Sequence, residues 1–111
     1  MSYNISLGEP PVRVSHFTEG GTYVIGGSDY ATLNVTYNYS SHFRDYFVEG
    51  IWGIDGIRAS EVIPLLAKAV EALGTERDDD YWKSTEGNAG YALSILLLWA
   101  RQHPRAKFHV S

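Results

Sequence analysis

The hydrophobic period of this chain changes once, and the change divides it into two kinds of structure. In residues 31–39, ATLNVTYNY, Ala31, Leu33, Val35, Tyr37 and Tyr39 alternate with Thr32, Asn34, Thr36 and Asn38. Period two is the pattern of a strand with one buried face. From Ser60 onward the apolar residues recur at three and four, which is the spacing of a helix face. A chain that begins in one period and ends in the other folds as segregated strands and helices.

Earlier segments repeat the strand pattern. Tyr3, Ile5 and Leu7 alternate with Asn4 and Ser6, and Gly8-Glu9-Pro10-Pro11 breaks the run. Val12, Val14 and His16 alternate with Arg13, Ser15 and Phe17. Glu19-Gly20-Gly21 reads as a turn, Thr22 to Ile25 as a short strand, and Gly26-Gly27-Ser28-Asp29 as a hairpin loop. Four strands on short turns predict a meander.

After Tyr39, Ser40 and Ser41 are placed to cap a short helical turn, His42 to Val48. GIWGIDGIR, residues 50–58, puts glycine at every third position and predicts irregular backbone with its isoleucines turned inward. A first main helix is expected from Ser60 to Leu73. Its face is Ile63, Leu66, Val70 and Leu73, its N-cap Ser60 and its C-terminal stop Gly74. Pro64 is expected in its first turn. A second is expected from Glu86 to Gln102, capped by Ser84 or Thr85 and stopped by Pro104. Its apolar residues run round most of its circumference, as in a central helix. Ala106 to Val110 reads as a last strand with Phe108 and Val110 inward. The expected fold is therefore α+β in a single domain, residues 1–111. It has an antiparallel sheet of about four to five strands, an N-terminal meander plus a C-terminal strand, with two main helices packed on one face.

Composition narrows the function. A net charge of −4, from 13 acidic and 9 basic residues, lacks the basic stripe of a nucleic-acid binder. The absence of cysteine removes disulfides, thiolate metal sites and cysteine nucleophiles, and fits a cytoplasmic protein. No signal sequence is expected at the N-terminus, and no apolar run is long enough for a membrane span. His16, His42, His103 and His109 lack metal-ligand spacing, Asp78-Asp79-Asp80 lacks the pattern of a calcium loop, and no cofactor is expected.

Candidate binding residues come from two places. Thr32, Asn34, Thr36 and Asn38 form a polar strand face without a single charge. Such neutral donors and acceptors can orient a ligand, or can simply pair across a sheet. Beyond the strand lie Ser40, Ser41, His42, Arg44 and Asp45. A serine–histidine–aspartate reading finds no support there, because the residues are nearly consecutive and triads are assembled by the fold. His42 and Arg44 stay as binding candidates. Asp80 and Trp82 in the acidic loop are further binding candidates; Asp80 is also expected to accept hydrogen bonds from its own loop, with Tyr81 and Trp82 as anchors onto the core. Asn88 is placed to satisfy loop or helix-terminal groups, and Ala89 and Ala92 to permit close helix packing.

TYNYS (36–40), IPLLAKAVEALG (63–74), DDYWKSTEGNAGYAL (79–93) and HPRAKF (103–108) together resemble a pattern of small phage and prophage proteins. The resemblance implies a small accessory protein that binds a host component, such as a defence system, in the host cytoplasm. It assigns no activity and no functional residue. The expectation is a non-catalytic protein acting by protein contact or self-association. The alternatives are a small-ligand binder or small hydrolase using the neutral strand face, and a virion assembly component.

Overall fold

A computed structural model describes residues 2–14, 22–24, 30–80 and 82–111, with the backbone alone for 22–24. The fold is α+β. Its elements run β1 (Ser2–Leu7), β2 (Thr22–Val24), β3 (Thr32–Thr36), α1 (Ser40–Arg44), α2 (Ala59–Leu73), α3 (Glu86–Gln102) and β4 (Phe108–Val110). Two 3-10 helices, Tyr37–Tyr39 and Gly50–Ile54, lead into α1 and follow it.

The strands form one antiparallel sheet in the order β2-β3-β1-β4. This is not the expected meander. β1 lies inside the sheet, with Ile5 opposite Leu33 on one side and Val110 on the other. Both interior strands present a fully apolar inner face: Tyr3, Ile5 and Leu7 of β1 and Leu33 and Val35 of β3 are all buried. The C-terminal strand takes the place beside β1 that a second meander strand would have had. Val12–Val14, expected as part of a strand, forms an isolated bridge between Arg13 and Tyr30; the Val12 N–H donates to the Leu7 carbonyl, its carbonyl accepts from the Ala31 N–H, and His103 Nε2 donates to the Arg13 carbonyl. The expected turn at 19–21, the hairpin loop at 26–29 and residues 15–17 of the expected second strand lie outside the described residues.

β4 is the margin of the sheet, yet its outer side is closed. Phe108 exchanges backbone hydrogen bonds with Gly56 and Ile57, and the Val110 N–H donates to the Asp55 carboxylate at 2.8 Å. The glycine-rich segment thus lies along β4 and occupies groups that would otherwise invite another strand. Ile51 and Ile54 turn into the core as expected, whereas Ile57 is exposed.

α3 is the central helix. Leu93, Leu96, Trp99 and Ala100 are fully buried, and Ala89 and Ala92 share that burial. It packs along α2, whose buried stripe is Val62, Leu66, Ala69 and Leu73. The stripe is rotated from the expected one, since Ile63 and Val70 are only half-buried. Ala69, fully buried, lies on that stripe where the expected pattern has Val70. Ser60 does not cap α2. The N-cap is Arg58, without a side-chain bond, and Pro64 is the sixth residue rather than part of the first turn. Gly74 closes α2 with a φ of 75°, a backbone shape that suits glycine. Strands and helices contribute to a single cluster of buried residues.

Candidate functional site

The structure divides the candidate residues into two groups. The first lies on the polar face of the sheet. The Asn34 amide donates to Ser2 Oγ at 2.7 Å and to Asn4 Oδ1 at 2.9 Å, and Asn4 is its cross-strand partner. The missing charges therefore have a local explanation. The Asn34 amide meets neutral acceptors on β1 in register, so this part of the polar face is paired across the sheet. Thr32 is half-buried opposite Ser6 on the same face.

Thr36 and Asn38 do not continue that row. β3 ends at Thr36, which is 3% exposed and whose Oγ1 accepts from the Asn38 N–H at 3.2 Å. That bond caps the 3-10 helix, so the chain leaves the extended form before Tyr37. The alternation of residues 37–39 persists in their burial, with Tyr39 inside and Asn38 exposed.

Asn38 belongs to the second group, which is built on the loop between α2 and α3. Its side-chain amide donates to the Trp82 carbonyl at 2.7 Å, and His42 Nε2 donates to the Ser84 carbonyl at 3.1 Å. From the opposite side comes Asn88, only 3% exposed. Its Oδ1 accepts from the Asp78 N–H at 2.8 Å, and its amide donates to the carbonyls of Lys83 at 2.9 Å and Asp80 at 3.2 Å. Asp80 in turn accepts from the Trp82 N–H at 3.0 Å. One buried side chain thus satisfies backbone groups at three places in the loop that would otherwise depend on water. Thr85 is the N-cap of α3, accepting from the Asn88 N–H. These roles of Asp80, Thr85 and Asn88 match the sequence reading.

Trp82 does not. It was expected to anchor the loop on the core, yet its side chain is 52% exposed. The loop is held by hydrogen bonds to the Trp82 main chain, and the residue stays half-exposed. Tyr81 lies outside the described residues.

Two glycines contribute to the same region. A Cβ on Gly87 would collide with the Glu76 carbonyl, and one on Gly90 with the Gly74 carbonyl. The first two turns of α3 are therefore pressed against the backbone leaving α2. In sequence these glycines read only as weak helix formers. The glycine spacing on one helix, three residues apart, was the available signal.

Beside this loop is an open polar groove of about 470 Å³, lined among others by Glu76, Arg77, Asp78 and Glu86. The Arg77 guanidinium sits 4.5 Å from the centre of the Tyr91 ring. Arg44, at the end of α1, is exposed, and among the described residues no hydrogen bond joins it to either group.

The serine–histidine–aspartate alternative does not assemble. Ser40 Oγ donates to the Tyr37 carbonyl at 2.6 Å, Tyr3 Oη lies 2.6 Å from Ser40 Oγ, and His42 Nε2 faces a backbone carbonyl. Among the described residues, no group of three His, Asp or Glu side chains is arranged to hold a metal ion, and no helix is long and apolar enough to cross a membrane. Comparison with family models, curated proteins and solved structures returns no match to the chain.

The carbonyls of Pro104 and Ala106 accept from the backbone N–H groups of Ser60 and Ala59 at the start of α2.

Proposed function

We propose that this chain is a non-catalytic binding protein that acts by protein contact through the loop around Trp82. One observation carries the reading: a half-exposed tryptophan stands on a loop whose backbone is tied down by Asn38, His42, Asp80 and Asn88. Tryptophan is the side chain most enriched among residues that dominate protein interfaces. A loop already ordered before association loses little conformational freedom when it binds. The neutral sheet face is less suited to the role, because the Asn34 amide is already engaged by Ser2 and Asn4. A host component as the partner follows from the resemblance to phage and prophage proteins and rests on that resemblance.

The test is capture with tagged protein from a bacterial lysate, then reconstitution with the purified partner. Trp82→Ala is expected to weaken the reconstituted complex by at least about tenfold, and Thr32→Ala to leave it unchanged. A protein that stays monomeric in light scattering and retains no partner would overturn the reading. So would a complex indifferent to Trp82→Ala.

A further inference from the structure

From the charge around Trp82 we infer that the partner presents a cationic surface, with a Lys or Arg side chain laid against the indole. This rests on the reading of Trp82 as the contact residue and specifies the chemistry that meets it.

Residues 76–86 hold five acidic side chains, Glu76, Asp78, Asp79, Asp80 and Glu86, against Arg77 and Lys83. That is a net of −3 in a stretch of eleven, where the whole chain carries −4. Five of the 13 acidic residues of the chain thus fall in the short stretch of sequence that carries Trp82, one of two half-exposed tryptophans among the described residues. Both basic residues in the stretch are already placed locally. Arg77 lies over the Tyr91 ring, and Lys83 Nζ is 3.8 Å from Asp78 Oδ2. Glu76, Asp79, Asp80 and Glu86 are exposed.

An indole face attracts cations through its quadrupole, most strongly among the aromatic side chains. Carboxylates around it add an attraction that steers a basic partner and repels an acidic one. A purely apolar partner would gain from the ring but would have to strip water from the surrounding carboxylates without replacing it. A Lys- or Arg-bearing surface satisfies both features at once.

The experiment uses the full chain labelled with nitrogen-15 and two defined probes, penta-arginine and penta-glutamate peptides. The Trp82 indole resonance is assigned by its loss in Trp82→Phe. Penta-arginine is expected to shift that resonance and the amides of residues 79–83 at about 50 mM salt. The apparent affinity should fall several-fold at about 500 mM, where screening is short-ranged. Penta-glutamate should leave the resonances in place. The double variant Glu76→Gln, Asp79→Asn should weaken the response, while Glu61→Gln, Glu71→Gln on α2 should not. Penta-arginine shifts spread over the surface without preference for Trp82 would overturn the inference. So would no response from a folded protein, or equal responses in the two double variants. A partner complex that depends on Trp82 yet ignores both salt and the loop charges would overturn the cationic partner alone and leave the contact reading intact.

Discussion

Asn88 is the residue on which the loop most depends. Its side chain is buried and makes three hydrogen bonds to backbone groups. Asn88→Ala removes all three and strands those groups, and is expected to lower stability by about 2–3 kcal/mol in urea unfolding. Asn88→Asp keeps the acceptor facing the Asp78 N–H but turns a carboxylate toward the Lys83 and Asp80 carbonyls. It should cost at least as much as the alanine. Gly90 gives a sharper prediction because its sign is unusual. Glycine to alanine in a helix interior ordinarily stabilises by about 1 kcal/mol. Here the new Cβ would meet the Gly74 carbonyl, and Gly90→Ala is expected to destabilise by about 1–3 kcal/mol. A gain in stability would show that α3 does not press on the α2 terminus as described.

At the scale of elements, the Asp55 cap makes β4 testable on its own. Asp55→Ala should cost about 1 kcal/mol and speed hydrogen exchange at the Val110 amide, with Asn restoring part of the protection through its own carbonyl oxygen. The elements also show what a sequence can and cannot disclose. α3 was legible to the residue, because Thr85 caps it, an apolar stripe fills it and Pro104 follows it. α2 was legible in extent but not in rotation. Its buried stripe is fixed by how it packs on the rest of the fold, which depends on neighbours distant in the chain. The end of β3 was not legible, since over Tyr37, Asn38 and Tyr39 a 3-10 helix and a strand give the same alternation of burial. The Thr36 hydroxyl decides between them by capping the turn. Asn88 was legible as a satisfier of loop groups, and the exposure of Trp82 was not. Large aromatics are buried more often than displayed, whereas this one is half-exposed.

For the molecule as a whole, the tryptophans differ in burial, and Trp52 is half-exposed as Trp82 is. Trp99 is fully buried within α3, and Trp82 is half-exposed. Trp99→Ala is expected to cost about 3–5 kcal/mol, and Trp82→Ala to stay within about 0.5 kcal/mol of the parent, both read from denaturant midpoints. A Trp82→Ala protein that unfolds as readily as Trp99→Ala would mean that its ring supports the fold rather than a contact. The closed outer side of β4 also bears on assembly. An open fibre built by strand addition needs two complementary margins on every copy, and here Asp55, Gly56 and Ile57 already occupy one of them. Growth from the β2 margin alone would join two copies about a twofold axis and then stop. Among the described residues, strand addition at β4 is therefore blocked.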